Sequence, residues 1–311
     1  MSEYICPLCK GSNIKIIETI RARDVNDLYS DSFQLEITYL FKEDKIFFCK
    51  CKNCALKFFE PSAIGDEYFY NILQKTDLYY MDNKEEYDIA AKYINPSDDV
   101  LDIGCGKGAF SKKIKYKTYT GLELSTNAKK LGEEEGVNII NQNIQDYSIF
   151  NKEKYNVVCT FQVLEHVDTN VLVDFLKAAI DCLKPNGLLI ISVPSDDSFV
   201  SKMVNNPLNL PPHHQTRWPD QTLKEIAKIF NLAIVDVCHD ALASRYKAGY
   251  FRIIGIYLLA TKHTLINKKI NILQKIALRL INLLSKKIQL FIINRINPRG
   301  HSITVIYRKP T

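Results

Sequence analysis

The chain has 311 residues, of which 46% are hydrophobic, and it carries nine cysteines and a formal net charge of +6. It is long enough for two domains and apolar enough to bury a core. No apolar signal region opens the sequence, and no apolar run approaches the roughly 18 residues that a membrane-spanning helix needs. We therefore expect a cytoplasmic protein, which excludes a disulfide scaffold and makes metal binding the expected role of clustered cysteines.

Four cysteines near the N-terminus form two Cys-x-x-Cys pairs. Each pair can place two thiolates on one ion, so the two pairs complete a tetrahedral zinc site with the ligands Cys6, Cys9, Cys51 and Cys54. Four thiolates leave no open position for a substrate, so we expect a structural zinc. The alternatives are reduced, unliganded cysteines and a redox pair, and Cys49 is a spare ligand. The pattern predicts a zinc-ribbon-like module over residues 1–62, with an extended hairpin or excursion over 21–47, followed by a helical connector over 63–97.

The most informative stretch is a short apolar run followed by glycines at alternate positions. Val100–Ile103 is typical of a buried parallel strand, and Gly104, Gly106 and Gly108 follow it. Glycines allow positive φ and let a ligand approach the backbone closely. Asp102 lies inside the strand, where an unpaired carboxylate is costly, so it needs loop amides or a cationic ligand as its partner. A simple strand-to-helix turn is the alternative interpretation.

A second predicted strand, Tyr119–Leu124, contains an acid, Glu123, that lies 21 residues after Asp102. In a βαβ unit, an acid at this point reaches the two ribose hydroxyls of a nucleoside ligand. A dinucleotide-binding dehydrogenase would need its third glycine at the position of Ala109. Together, the glycine turn and Glu123 resemble the binding site of class I S-adenosylmethionine-dependent methyltransferases.

Later segments resemble the same family in the expected order. They are Val137–Asn141, Gln145–Asp146, Tyr155–Phe161, Gln162–Val167 and Leu183–Pro194. The resemblance covers roughly residues 85–240, with a sixth strand at Leu232–His239 and the final strand at Ser302–Arg308. It implies an α/β fold with a Rossmann-like, doubly wound, mostly parallel seven-stranded sheet, in a methyltransferase domain over residues 98–311.

The resemblance also implies how S-adenosylmethionine is bound. Asp102 and the glycine turn would shape the methionine pocket, Glu123 would hold the ribose, and Asp146 would accept a hydrogen bond from the adenine amino group. The segment Phe161–His166 would line the donor side. The full set of expected donor-binding residues is Asp102, Gly104, Cys105, Gly106, Gly108, Glu123, Leu124, Gln145, Asp146, Phe161 and Leu164.

A loop before the predicted helix Asp220–Phe230 carries two adjacent histidines, His213 and His214. Loops at the carboxyl ends of strands hold the active sites of open α/β sheets. Methyl transfer to a hydroxyl requires removal of a proton, which suits histidine, so His213, His214 and His166 are the candidate general bases. A surface or capping role is one alternative, and metal binding by the adjacent pair is another. Trp218 offers a flat face for stacking on a sugar or another ring.

Positive charge is concentrated at the end of the chain. Residues 241–311 carry fourteen Lys or Arg and no Asp or Glu, which suggests an anionic partner. Within them, Leu265–Phe291 has the periodicity of an amphipathic helix, with Lys268 on its polar side and Lys269 against the pattern. We expect residues 241–300 to form a basic helical insertion whose apolar face packs on the core. Docking on an anionic membrane and binding of nucleic acid or another anion are the alternatives.

A cysteine-rich module before such a core resembles methyltransferases of bacterial sugar and surface-polysaccharide biosynthesis. In that group, Asp66–Tyr70 and Thr76–Tyr80 would lie in the connector, where their tyrosines cover the donor, line the acceptor pocket or pack between the domains. We expect methylation of a sugar, nucleotide sugar or lipid-linked glycan, at oxygen because the longer cysteine-rich signature of the sugar C-methyltransferases is missing. One alternative is an RNA methyltransferase, although the basic segment lacks the interleaved aromatic residues of a stacking platform. The other is a non-catalytic membrane or partner adaptor.

Overall fold

The computed structural model describes residues 4–75, 83–267 and 271–311. Its strands are β1 (Ile14–Arg21), β2 (Lys45–Cys51), β3 (Lys57–Glu60), β4 (Asp99–Ile103), β5 (Thr118–Leu122), β6 (Ile139–Ile140), β7 (Tyr155–Phe161), β8 (Leu183–Pro194), β9 (Thr216–Arg217), β10 (Ala233–Ala241) and β11 (Arg299–Arg308). Its α-helices are α1 (Ala22–Phe33), α2 (Glu67–Leu73), α3 (Glu85–Ala91), α4 (Thr126–Glu134), α5 (Ile144–Ile149), α6 (Leu172–Asp181), α7 (Asp220–Ile229), α8 (Ser244–Leu258), α9 (Ile272–Leu283) and α10 (Lys286–Ile296). The connector segment Thr76–Tyr80 and the predicted helix residues Lys268 and Lys269 lie outside the described residues.

Seven strands form the central sheet, in the order β10-β11-β8-β7-β4-β5-β6. Neighbours from β8 to β6 pair in parallel, whereas β11 runs antiparallel to both β8 and β10. The predicted α/β fold with a mostly parallel, Rossmann-like sheet is therefore confirmed. Because β4 lies between β5 and β7, the chain order changes direction at β4, which is where open α/β sheets bind their ligands.

A second sheet has four strands in the order β1-β2-β3-β9, all antiparallel. Its first three strands belong to the N-terminal segment, and the predicted excursion between the cysteine pairs contains α1, which buries Val25 and Tyr29 in an apolar cluster with Phe69. The fourth strand, β9, comes from the loop that follows the predicted histidines. The N-terminal sheet therefore extends beyond residue 62 and is completed by the methyltransferase part of the chain.

The insertion between β10 and β11 consists of three helices, α8, α9 and α10. The amphipathic stretch predicted over Leu265–Phe291 is divided between two of them. Leu284 has extended backbone, and the Ser285 side chain accepts a hydrogen bond from the Ile288 amide, which starts a new helix. The sequence periodicity does not reveal this break, because Ser285 lies on the polar side of the wheel.

The apolar side of this insertion faces solvent. Exposed fractions reach 73% for Ile272, 81% for Leu283 and 67% for Phe291, and further exposed apolar side chains are Leu273, Ile276, Leu280, Ile288, Leu290 and Ile296. The expected packing of this face on the core is therefore wrong for α9 and most of α10. Only Gln274 of α9 and Ile293 of α10 are buried. Among the helices that the structure describes, none has the length and apolar character to cross a bilayer.

Candidate functional site

A cavity of about 1180 Å³ opens at the carboxyl ends of β4, β5 and β7. Its volume exceeds the roughly 300–1000 Å³ of a typical site for one small ligand, so there is room for two molecules side by side. Seven of the predicted donor-binding residues line it. They are Gly104, Cys105, Gly106, Glu123, Leu124, Gln145 and Phe161.

The glycine turn has the backbone conformation that the sequence predicts. Gly104 and Gly108 have φ values of +71° and +79°, which residues other than glycine rarely adopt. A Cβ atom on Gly104 would lie 2.3 Å from Cγ2 of Val163, and one on Gly108 would lie 2.7 Å from Cγ1 of Val137. The turn is therefore restricted to glycine by both φ and space, and its backbone forms one wall of the cavity.

Glu123 lies just beyond β5 and closes the glycine turn. Its carboxylate accepts hydrogen bonds from the amides of Gly106 at 2.9 Å and Ser125 at 2.7 Å. Burial raises the pKa of Glu123, and these amides oppose that effect. A carboxylate has about four lone-pair positions, so two remain for hydroxyl groups of a ligand.

Asp102 is placed differently from the expectation. It is buried behind the glycine turn and is not one of the described residues that line the cavity. Its partner is the Tyr119 hydroxyl, which donates a hydrogen bond at 2.6 Å from the neighbouring strand β5. Burial raises the pKa of Asp102 to about 7. The partner of Oδ2 is thus a phenol instead of loop amides or a cation, and Oδ1 has no hydrogen-bond partner among the described residues.

Three other predicted donor-binding residues also lie off the cavity wall. Gly108, at the end of the turn, is buried away from the cavity, and Leu164 is fully buried in the core. Asp146 is exposed in the first turn of α5, where its carboxylate accepts a hydrogen bond from Nδ2 of Asn143 at 2.7 Å. Its neighbour Gln145 does line the cavity.

The three candidate histidines meet in one cluster on the cavity wall. His166 follows β7, and His213 and His214 come from the loop before β9. The ring of His166 lies 4.3 Å from that of His213 and 4.9 Å from that of His214. Burial lowers the pKa of His166 to about 4, and it lowers the pKa of His213 and His214 well below the usual range. These imidazoles are therefore neutral at physiological pH.

Glu165 belongs to the segment expected to line the donor side, but the sequence interpretation did not single it out as a site residue. It is 1% exposed and lines the same cavity, and its Oε1 lies 3.8 Å from Nε2 of His166. Neither carboxylate oxygen has a hydrogen-bond partner within residues 4–75, 83–267 and 271–311. Burial raises its pKa to about 8. The signal available in the sequence was an acid next to His166 at the end of a buried strand.

Tyr70 lies at one of the places expected for the connector tyrosines, whereas Trp218 does not take the stacking role expected of it. Tyr70, on α2, lines the cavity and contacts the rings of His166 and His213. Trp218 is fully buried in the core, and its indole N–H donates to the Thr216 hydroxyl at 2.9 Å. A stacking surface for a ring-shaped ligand is therefore offered by Tyr70, whereas Trp218 cannot reach the cavity.

The four predicted zinc ligands form a compact cluster. The Sγ atoms of Cys6 and Cys54 and those of Cys9 and Cys51 are each 3.5 Å apart, and all four lie within 4.8 Å of one another. Zn–S bonds of about 2.3 Å in a tetrahedron place sulfur atoms about 3.8 Å apart, so the cluster fits the ion. The spare ligand Cys49 lies elsewhere, with its Sγ directed to the Phe47 carbonyl at 3.7 Å.

The two knuckles share one backbone shape and rest on the methyltransferase core. The residue after each second cysteine, Lys10 or Ala55, has positive φ. The Thr222 hydroxyl of α7 donates to the Cys54 carbonyl at 2.9 Å, and Cys6, Cys51 and Cys54 belong to the same apolar core as Trp218. A metal ion held here would stabilise this junction.

The histidine loop is attached to the N-terminal sheet at several points. β9 pairs with β3, and the Phe59 amide donates to the Gln215 carbonyl at 3.0 Å. The Gln215 side-chain amide donates to the carbonyls of Ala63 at 2.6 Å and Pro212 at 2.9 Å. Arg217 is stacked 4.9 Å above the Phe48 ring. The N-terminal module therefore holds the segment that positions His213 and His214.

Comparison with known proteins places these features in a family. A family model described as a methyltransferase domain matches residues 76–237, slightly more than half of the chain. Ubiquinone biosynthesis O-methyltransferase of Serratia proteamaculans is 29% identical over 101 residues, 30% of this chain and 41% of that protein. Malonyl-[acyl-carrier protein] O-methyltransferase 2 of Ilyobacter polytropus is 31% identical over 138 residues, 40% of this chain and 51% of that protein. The matched part is thus about half or less of the length of these relatives.

A solved structure has the same fold. The S-adenosylmethionine-dependent methyltransferase of Archaeoglobus fulgidus is 19% identical, with a TM-score of 0.53 over 78% of this chain and 100% of that one. The family match, the sheet order and the glycine turn agree with one another. The chain belongs to the methyltransferase-domain family.

Proposed function

We propose that this protein transfers the methyl group of S-adenosylmethionine to a hydroxyl oxygen of a small molecule. The observation that carries the proposal is that one cavity joins the glycine turn and Glu123 to the cluster of His166, His213, His214 and Glu165. The first set supports a nucleoside donor, and the second supplies polar groups beside an acceptor. Two of the matched relatives are named O-methyltransferases, which supports oxygen as the methylated atom.

Each part of the donor has a proposed partner. The backbone of the glycine turn would face the methionine portion, and Glu123 would accept hydrogen bonds from the two ribose hydroxyls. Gln145, with Asp146 beside it, would contact the adenine. Asp102 would act indirectly, because its bond to Tyr119 fixes β4 against β5 below the turn.

The acceptor would lie against the histidine cluster. Its oxygen would attack the methyl carbon in line with the sulfur, so that the O–C bond forms as the S–C bond breaks and S-adenosylhomocysteine leaves. The hydroxyl proton would pass to the cluster, where the neutral imidazoles are the available proton acceptors, because the Glu165 carboxyl with its raised pKa already holds a proton.

A sugar, nucleotide sugar or lipid-linked glycan is the acceptor class that we propose. This end of the cavity carries many hydrogen-bonding side chains and the ring of Tyr70, which suits a polyhydroxylated ring. Lys84 and Arg245 also line it and would attract a phosphate group. Arg245 belongs to α8, so the basic insertion contributes directly to the cavity wall.

We also propose that the insertion docks on an anionic lipid surface. The apolar side chains of α9 and α10 are exposed next to Lys275, Arg279, Lys286 and Lys287, and the insertion contains no acidic residue. This combination is complementary to an anionic bilayer. Docking would bring the cavity next to a lipid-linked acceptor, because α8 contacts both α9 and α10.

The membrane proposal is tested by sedimentation with vesicles of equal parts phosphatidylglycerol and phosphatidylcholine, compared with phosphatidylcholine alone. We expect binding to the anionic vesicles that weakens with salt and is lost in the double variant Leu283→Ser/Phe291→Ser. Phe150→Ser is the matched control, because Phe150 is 87% exposed at the C-terminal end of α5, outside the insertion. Equal binding by the double variant and the control would refute the proposal.

The catalytic proposal is tested with methyl-labelled S-adenosylmethionine and a lysate of the source cells, followed by fractionation. Label in nucleotide sugars or extractable glycolipids supports the glycan acceptor, and a lipid fraction also supports docking. Label in RNA or protein would overturn the acceptor class. Binding of S-adenosylhomocysteine, measured by calorimetry, separates a missing acceptor from a chain that binds no donor at all.

A further inference from the structure

The histidine cluster has the composition of a metal site that is separate from the four cysteines. One ring nitrogen from each of His166, His213 and His214 lies within 4.8 Å of the others. A tetrahedral ion with M–N bonds of about 2.1 Å places nitrogen atoms about 3.4 Å apart, so small ring rotations would bring the three onto one ion. His166 and the His213–His214 pair come from segments 47 residues apart, so tertiary structure alone brings them together.

Each ring is oriented by a contact at Nδ1. Nδ1 of His166 lies 2.6 Å from the His213 carbonyl, and Nδ1 of His213 lies 2.9 Å from the Leu208 carbonyl. Nδ1 of His214 lies 3.2 Å from Oδ1 of Asn209, whose Nδ2 donates to the Val200 carbonyl. Oxygen acceptors at Nδ1 put the proton there and make Nε2 the metal-binding atom, as in most histidine metal sites.

Glu165 supplies the second, independent observation. Its carboxyl is almost fully buried, and its two oxygens lack hydrogen-bond partners throughout the described part of the chain. A buried carboxyl without partners is costly unless a cation balances it. Because Oε1 lies 3.8 Å from Nε2 of His166, a cation held by the imidazoles would also be within reach of Glu165.

We propose that His166, His213, His214 and Glu165 bind a divalent transition-metal ion such as Zn²⁺, Fe²⁺ or Co²⁺. Three imidazoles and one carboxylate suit ions of this class, whereas Mg²⁺ and Ca²⁺ prefer oxygen ligands. All four side chains line the cavity, so an ion that expands beyond four-coordination, as these ions can, would keep an open position toward the acceptor. In this respect the inference rests on the proposed function.

With the ion in place, the cluster would handle the acceptor differently. The hydroxyl oxygen would bind the ion, its pKa would fall, and its proton would leave to water through the open cavity. The resulting alkoxide would form the O–C bond as the S–C bond of the donor breaks. The imidazole nitrogens would then act as ligands and would not take up the proton themselves.

The test is a titration of the full chain, freed of metal under reducing conditions, with Co²⁺ alone. We expect two Co²⁺ per chain, one with thiolate-to-cobalt charge-transfer absorption and one without it. In the double variant His213→Asn/His214→Asn, the first should remain and the second should bind at least ~100-fold more weakly, since a residue orienting a ligand already accounts for about 10- to 100-fold. Asparagine keeps a donor near the position of Nδ1, so the loop contacts should survive.

Further variants and readouts make the result decisive. Glu165→Gln should weaken only the second Co²⁺, whereas His263→Asn, at an exposed position, should bind both as the wild type does. A single Co²⁺ per chain with thiolate absorption, or a second Co²⁺ that binds the double variant unchanged, would overturn the proposal. Binding of S-adenosylhomocysteine, measured on the same samples, reports on the proposed function independently of the metal count.

Discussion

Replacement of Glu123 by alanine tests the donor site most directly. The Glu123 carboxylate uses two lone-pair positions for the amides of Gly106 and Ser125, which leaves two for the ribose hydroxyls. Each hydrogen bond to a charged group contributes about 1.5–3 kcal/mol, so loss of two removes about 3–6 kcal/mol of binding free energy. That range corresponds to a loss of about 10²- to 10⁴-fold in affinity for S-adenosylhomocysteine.

The same substitution should reduce the free energy of unfolding by much less than it reduces the binding free energy. Alanine leaves a space at a partly exposed position, so water can accept the hydrogen bonds of the two released amides. We expect the free energy of unfolding to fall by about 1 kcal/mol, in the range of one ordinary hydrogen bond. Isothermal titration calorimetry measures the affinity, and thermal unfolding followed by circular dichroism measures the stability.

The control is Glu134→Ala, which removes an exposed acid from α4 and should change neither quantity. An affinity for S-adenosylhomocysteine within threefold of the wild type in Glu123→Ala would refute the ribose assignment. A collapse of stability in Glu123→Ala would instead show that the carboxylate serves mainly to hold the glycine turn together.

Three further predictions concern other parts of the structure. Cys51→Ser should release the N-terminal metal and lower the unfolding temperature, whereas Cys49→Ser, outside the cluster, should retain one metal per chain in that site; elemental analysis showing equal loss in both would contradict the four-cysteine site. Gly104→Ala should abolish donor binding in calorimetry because its Cβ meets Val163, whereas Gly136→Ala, also at positive φ but in open space, should cost only about 1 kcal/mol of stability and no binding. Burial raises the pKa of Asp102 to about 7, so the carboxyl does not destabilise the fold below about pH 4, destabilises it increasingly between about pH 4 and 7, and has a constant effect above that. Asp102→Asn should therefore be more stable than the wild type above pH 7 in denaturant unfolding, and a stability difference that does not change with pH would refute this.

The parts of the site that the sequence predicted are those determined by neighbouring residues. The glycine turn follows from φ and close approach at Gly104, and Glu123 follows from the length of a βαβ unit. The local sequence shows that Glu165 stands next to His166 at the end of β7, but its role depends on a loop that folds back from beyond β8, and no local pattern contains that part of the information. β9 is only two residues long, so its alternation cannot be recognised before its partner strand is known.

Two expectations failed because a pattern does not specify what covers a surface. Trp218 was assigned to a ligand by its ring, but it is fully buried in the apolar core that also contains Cys6, Cys51 and Cys54. The apolar face of α9 was assigned to the core by its periodicity, yet that periodicity is equally compatible with a face left open to solvent. Both outcomes depend on distant segments of the chain.

Strand β9 connects the N-terminal sheet, which carries the cysteine cluster, to the histidine loop of the cavity. The histidines precede β9 directly, and Gln215 and Arg217 connect them to the sheet that the cysteines brace. If zinc is scarce while the protein is made, the donor half of the cavity should still form, since it is built from the central sheet. The acceptor half of the cavity, which the histidine loop forms, should lose its structure first. Without zinc, the protein would then bind the methyl donor but would not transfer the methyl group to an acceptor.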